Sequence, residues 1–309
     1  MADIPDHRIH INPSSKKHNN MDINRRNFFR VMGVTGASLA LGSAVKASPE
    51  SKDDTEFYGI LYDSTRCIGC YNCEYECATA NELPEPVSPE NDTDIRKPDE
   101  TWRTVVNGYE TSKGKVYVKV QCMHCSQPAC AAACLTQAMY KTKEGPVIWK
   151  GDKCMGCRYC MVSCPYDSPK FEYLSANPKI NKCTMCFETK VQKGEVPACV
   201  EMCSGDALTF GTRRELIKEA RRRIAEQPDV YYDQIYGENE AGGTGWLYLS
   251  PVPFEELGIR TNLQKSSYPA LTKGFLYSVP TVFIAAPALL LGIQQATKKN
   301  NATQEEDDE

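Results

Sequence analysis

The chain has 309 residues, 41% of them hydrophobic and 25% charged, an ordinary globular composition with room for two small domains and further segments. Its 16 cysteines narrow the class to a disulfide scaffold, a zinc protein or an iron-sulfur protein, and its 4 histidines leave histidine-based zinc sites, paired-histidine haem ligation and Ser-His-Asp catalysis hard to build. A net charge of -4 with no basic stripe gives no sign of a nucleic-acid partner.

Asn24 to Arg30 read N-R-R-N-F-F-R, which resembles a twin-arginine export signal, and Val31 to Val45 follow as a mildly apolar stretch rich in Gly, Ala and Ser. Ala47, with Val45 two positions before it, offers a small-residue cleavage site, so residues 1–47 read as a signal region; a basic helix start is the alternative. His7, His10 and His18 lie ahead of that site, which leaves His124 alone in the mature chain. The extension before the motif is long and makes Met21 an alternative start, an idea that N-terminal sequencing of the precursor would exclude by finding Met1 to Asn20.

Apolar alternation at Phe57 to Tyr62 and Val116 to Val120 predicts short strands, each leading into a cysteine group, and Val147 to Trp149 has the same character. Residues 82–115, rich in Pro, Asp, Glu and Asn, read as an inserted surface loop, whose acidic part Glu82 to Glu100 is a docking surface or a solvated insertion. Thr212 and Glu215 form a capping box ahead of Leu216, Ile217, Ala220 and Ile224, which predicts a helix over Arg213 to Glu226 with Arg221 to Arg223 on a solvated face. A Gly242-Gly243 turn precedes a further strand at Trp246 to Leu249.

Phe275 to Ile293 carry no charge over about the length that spans a bilayer, which predicts a single transmembrane helix over 274–294. Lys273 stands before it and Lys298 and Lys299 after it; with the body exported, the paired lysines fall on the cytoplasmic side, as the positive-inside rule prefers. Pro280 and Pro287 are tolerated where a partner helix repairs the freed carbonyls, and a buried soluble helix is the alternative. Residues 295–309 read as a charged tail, with Glu305 to Glu309 solvated and disordered.

Every cysteine falls into one of four groups of four. Cys67, Cys70, Cys73 and Cys77 have the spacing C-x2-C-x2-C-x3-C, and Cys154, Cys157, Cys160 and Cys164 repeat it with Pro165 following. Cys122, Cys125, Cys130 and Cys134 stretch the middle gap to four residues, and Cys183, Cys186, Cys199 and Cys203 stretch it to twelve. Three thiolates on one short loop can wrap three corners of a 4Fe-4S cubane, while the fourth, read as starting a helix that points away, reaches a neighbouring cluster. Zinc takes two well-separated hairpins, so the tight runs crowd too many thiolates for it; the last group alone could pass for a zinc ribbon. Regular quartets are not the pattern of a disulfide-stapled scaffold, and the apolar sequence suffices for a core.

These residues resemble the ferredoxin-like four-cluster subunits that serve membrane-bound hydrogenases and molybdopterin oxidoreductases, and within that family the HybA-type subunits of hydrogenase-2. The likeness covers Gly59 to Leu257 and rests on L-Y-D-S-T-R-C-I-G-C at Leu61 to Cys70, Q-C-M-H-C at Gln121 to Cys125, C-R-Y-C-M-V-S-C-P-Y at Cys157 to Tyr166, G-T-R at Gly211 to Arg213, and Gly242-Gly243-Thr244 with Val252-Pro253. The resemblance implies an α+β fold of tandem pseudo-symmetric bacterial ferredoxin-like (βαβ) cluster domains over 57–270, with the transmembrane helix after them. It also implies that the groups pair first with fourth and second with third, around four 4Fe-4S clusters. Cluster 1 then takes Cys67, Cys70, Cys73 and Cys203; cluster 2 takes Cys183, Cys186, Cys199 and Cys77. Cluster 3 takes Cys122, Cys125, Cys130 and Cys164; cluster 4 takes Cys154, Cys157, Cys160 and Cys134. Cys157 is present where some relatives lose it and hold a 3Fe-4S cluster. Ala78, Leu135 and Ser204 stand where the family has proline, which bears on loop geometry and reduction potential. His124, Met123 and Met155 sit inside cluster loops, where they either pack against a cluster or tune it.

The expected role is an electron wire on the periplasmic side of the cytoplasmic membrane, linking hydrogenase large and small subunits to an integral membrane quinone-reactive subunit, with no catalytic residues of its own. A twin-arginine route, which carries folded proteins, lets the clusters be inserted before export. The alternatives are the beta subunit of a molybdopterin oxidoreductase or formate dehydrogenase, an enzyme with a labile site at a cluster, and a zinc-bound interaction module.

Overall fold

The computed structural model describes residues 56–89, 91 and 94–305; the signal region, Met21 and the Ala47 cleavage site lie outside them. In chain order, β1 (Tyr58–Asp63) leads into α1 (Asn72–Ala80), and β2 (Val105–Thr111) forms a hairpin with β3 (Gly114–Val120). The short helix α2 (Ala129–Ala132) precedes a second hairpin, β4 (Met139–Lys141) with β5 (Val147–Trp149), then α3 (Tyr159–Val162) and a third hairpin, β6 (Lys170–Phe171) with β7 (Ile180–Asn181). After α4 (Ala198–Glu201) come β8 (Leu208–Thr212), α5 (Arg213–Glu226), β9 (Trp246–Leu249) and the long α6 (Tyr268–Glu305). The expected α+β class and the strands anticipated near Phe57, Val116, Val147 and Trp246 are all present.

The central sheet has the order β8-β1-β9, with Ile60 opposite Phe210 in an antiparallel pair and opposite Trp246 in a parallel one. Alternation along β1 sends Ile60 and Tyr62 into a core with Val116, Val118, Trp246 and Tyr248, and sends Leu61 to the opposite face against Leu216, Ala220 and Leu247. Each side chain of this size contributes about 1.5–3 kcal/mol when fully buried. α5 supplies Leu216 and Ala220 from the amphipathic face read in its sequence, and its capping box forms, with the Thr212 hydroxyl donating to Glu215 at 2.6 Å. Gly59 sits where the two strands meet, since a Cβ there would lie 2.5 Å from the Gly245 carbonyl oxygen that accepts the Ile60 N–H. Gly59→Ala is expected to cost about 1–3 kcal/mol by overpacking, read as a lowered thermal midpoint with the same cysteine chemistry; an unchanged midpoint would refute the contact.

The structure departs from three sequence expectations. The segment 82–115 is not all loop, because Thr104 to Asn107 are buried and β2 pairs along the whole of β3. Val105-Val106 is a strand core too short to outweigh the polar composition around it. The rest of the segment is pinned by Arg96, whose guanidinium donates to Glu74 at 2.5 and 3.0 Å and to the Val106 carbonyl at 3.0 Å. Arg223 is not on a solvated face: it turns inward to buried Asp63 at 3.0 Å, the position one turn after Glu219 being covered by the end of β1. The apolar helix continues through Gln294 as far as Glu305, into the segment read as a tail, because no Pro or Gly follows Gly292 to stop it.

α6 contains one stretch, Tyr268–Gln295, long and apolar enough to cross a membrane, and none of its most apolar window is buried in the protein. Its start is fixed by α2, which it touches, and by Ser267, whose hydroxyl donates to Gln127 at 2.6 Å.

Candidate metal-cluster site

The four cysteine groups fold alike. In each, the third cysteine (Cys73, Cys130, Cys160, Cys199) is the second residue of a helix, respectively α1, α2, α3 and α4. The fourth follows one turn later, as Cys77 within α1 or as Cys134, Cys164 and Cys203 just beyond the shorter helices. The sequence reading had the fourth cysteine start the helix; the helix instead begins one turn earlier and carries the fourth thiol away from its own loop. α1 packs on α4 and α2 on α3.

Each loop also turns through the left-handed region two residues after its first cysteine, at Gly69 (φ 68), His124 (φ 47), Gly156 (φ 72) and Met185 (φ 55). Such turns aim successive backbone N–H groups at one concavity and make an anion nest of the kind that holds iron-sulfur groups. Glycine in two loops was a visible signal; His124 and Met185 in the same conformation were not.

The thiols gather into four neighbourhoods. Tyr62, Cys67, Cys70, Cys73, Lys119 and Cys203 line one cavity; Cys77, Cys183, Cys186, Cys199, Lys119 and Trp246 line another. Burial pushes the Cys125 thiol up, and its neighbours Cys122, Cys164 and Cys130 push it further. Cys160 is pushed up to about 11 by burial and by Cys154, Cys134 and Cys157 around it. Cys183 reaches about 12 and Cys130 about 12, burial again leading, opposed by Lys119 at Cys183 and by Lys182 at Cys130. Cys134 goes the other way: burial, which raises it, is outweighed by N–H groups of Met139 and the Thr136 hydroxyl. The neighbourhoods also act on one another electrostatically, Cys199 raising Cys73, Cys122 raising Cys183 and Cys160 raising Cys130.

Buried thiols in groups of four ionise together only when a positive core neutralises them. An iron-sulfur cubane supplies that core and four tetrahedral iron corners, and when bound it stores one electron at a time. Two buried polar atoms beside the thiols fit it. Trp246 Nε1, on the wall of the second cavity, and His124 Nε2, between Cys122 and Cys125, are buried without a hydrogen-bond partner in the protein. His124 is held neutral, first by burial and then by Lys182 and Lys141, and its Nδ1 accepts the Val147 N–H at 2.8 Å, so Nε2 carries the proton. Among the described residues, no three His, Cys, Asp or Glu side chains converge on a point that would hold a single ion. The cysteine quartets surround spaces instead, the geometry of an electron-transfer protein built around iron-sulfur clusters.

A family model described as a 4Fe-4S dicluster domain matches residues 114–213. The chain is 43% identical over 291 residues to a protein of Nitratidesulfovibrio vulgaris, covering 90% of this chain and 78% of that one. It is 34% identical to the hydrogenase-2 operon protein HybA of Escherichia coli over 92% of this chain and 98% of HybA. It is 30% identical to the formate dehydrogenase-O iron-sulfur subunit of Escherichia coli, over 85% of this chain and 93% of that subunit. The chain belongs to the 4Fe-4S ferredoxin-type electron-transfer subunits of oxidoreductases, the family that includes HybA.

Proposed function

We propose that the chain is the electron wire of a membrane-bound hydrogenase, carrying four 4Fe-4S clusters in two pseudo-symmetric ferredoxin-like halves. The ligand sets are Cys67, Cys70, Cys73 and Cys203 for cluster 1, Cys183, Cys186, Cys199 and Cys77 for cluster 2, Cys122, Cys125, Cys130 and Cys164 for cluster 3, and Cys154, Cys157, Cys160 and Cys134 for cluster 4. The observation that carries this reading is the set of adjoining thiol neighbourhoods: the first two share Lys119 in their walls, and Lys182, next to Cys183 of the second, lies 3.8 Å from Cys122 Sγ of the third. Clusters in that order pass single electrons from one end of the protein to the other.

Both ends open to the surface. Cys70 and Cys157 are exposed, the first beside exposed Ile68 and Met202 and the second beside exposed Met155, Tyr159 and Val162. The contact of α6 with α2 supports an orientation with clusters 3 and 4 toward the membrane and a quinone-linked subunit, and cluster 1 toward the catalytic partner. The twin-arginine motif supports a periplasmic position, with α6 as the anchor. The likeness to HybA along nearly its whole length favours a NiFe hydrogenase as that partner. The formate dehydrogenase-O likeness supports a second reading, the iron-sulfur subunit of a molybdopterin oxidoreductase.

The first experiment measures iron, zinc and acid-labile sulfide in anaerobically purified full-length protein together with the large subunit that copurifies. About sixteen irons with matching sulfide are expected. Stoichiometric zinc without sulfide would overturn the reading, and a copurifying molybdopterin subunit would select the second one.

A further inference from the structure

Two lysines are buried where the cysteine neighbourhoods adjoin. Lys119 is 2% exposed and forms part of the wall of both the first and the second cavity. Its amine donates to the Thr104 hydroxyl and, at 3.5 Å, to Gln121 Oε1, and it stands 5.3 Å from the centre of the Trp246 ring. Lys182 is 3% exposed and precedes Cys183 in the second neighbourhood, while its amine lies 3.8 Å from Cys122 Sγ in the third. Carbonyls of Val147 and, at 2.8 Å, Cys183 accept its other protons. Among the described residues, neither amine forms an ion pair with a carboxylate.

An ammonium taken out of water without a counter-charge is costly enough that proteins rarely keep one. The thiols of Cys73 on one side and of Cys77, Cys183 and Cys199 on the other, which belong to two different neighbourhoods, line the two cavities whose walls Lys119 shares. A cubane held by four thiolates is negative and gains another negative charge on reduction, so a fixed cation beside it favours the reduced state, most strongly in a site shielded from water. Strand alternation hid this feature: Val116 and Val118 mark the core face of β3, so Lys119 reads as outward, yet the cysteine cavities cover that other face too.

We infer that Lys119 and Lys182 are potential-setting residues of the wire, Lys119 raising the reduction potentials of clusters 1 and 2 together and Lys182 those of clusters 2 and 3. Cluster 2 borders both amines and is the electron's resting place in the chain; cluster 4 borders neither. This inference rests on the cluster assignment proposed above.

The test is a potentiometric titration followed by electron paramagnetic resonance on the full-length protein and on Lys119→Met, Lys119→Arg and Lys182→Met, each with its iron and sulfide content measured. In Lys119→Met, two clusters should lose more than tenfold in reduced-to-oxidised ratio at a fixed ambient potential, a fall of more than 59 mV for a one-electron couple, while the others hold. Lys182→Met should shift two clusters likewise, one of them shared, and Lys119→Arg should keep the native values. Iron-replete variants with native potentials overturn this inference alone, whereas native protein without iron overturns the cluster assignment beneath it. Should Lys119→Met lose iron, Lys182→Met carries the test; iron loss from both would overturn tuning in favour of a role in assembly.

Discussion

Arg223→Met is expected to lower stability by about 1.5–3 kcal/mol, because it removes a charged hydrogen-bond donor from buried Asp63 and leaves the half-exposed Arg66, 3.5 Å away, as its cation. Asp63 closes β1 fully buried, and its carboxylate accepts from Arg223 at 3.0 Å, Tyr231 at 2.8 Å and the Thr65 N–H and hydroxyl at 3.1 and 2.5 Å. Arg223 also donates to Glu219 at 2.7 Å, so one guanidinium ties helix α5 to the strand that runs into Cys67. For a domain of this size the loss corresponds to a thermal midpoint lower by about 3–12 °C. Differential scanning calorimetry under anaerobic conditions would measure it, and adding Asp63→Asn should recover part of the loss, since the buried carboxylate charge is then gone. A change below about 1 kcal/mol, the level of an exposed ion pair, would show that the arginine acts at the surface after all.

On the cluster assignment proposed above, Cys199→Ala should interrupt the wire at its centre. Cys199 is buried at the start of α4 and lies beside Cys73 of the neighbouring set. The variant is expected to hold about four fewer irons, the content of one cubane. Clusters 1, 3 and 4 should still give their resonance signals, while electron passage from catalytic partner to quinone falls to background. Cys157→Ala at the exposed end should instead leave passage as far as cluster 3 intact. Full iron content and native passage in Cys199→Ala would remove Cys199 from the ligand set.

The periodic elements were legible because each rests on local pattern: the alternation of β1, the capping box of α5, the uncharged run in α6. The cysteine groups were legible from spacing, as was the likeness that implied their crossed pairing. What the sequence hid depends on contacts far apart in the chain. Arg223 and Arg221 look alike in sequence, and only Asp63, 160 residues earlier, distinguishes them. Val105 and Val106 sit in a polar context, and their strand exists because Val116 to Val120 pair with it. Lys119 lies on the nominally outer face of its strand, and the two cavities meeting there are built by residues from Tyr62 to Trp246.

The order of strands in the central sheet sets a timetable for biogenesis. β1 leaves the ribosome early, yet both of its neighbours, β8 and β9, lie beyond residue 207. At ordinary elongation rates the interval is roughly 10–30 s, during which an apolar strand has two open edges. A topology with so many distant contacts also closes slowly once complete. Both edges of β1 therefore stay unpaired until Leu208 to Thr212 and then Trp246 to Leu249 have been made, and the central sheet is complete only when the latter pair with β1.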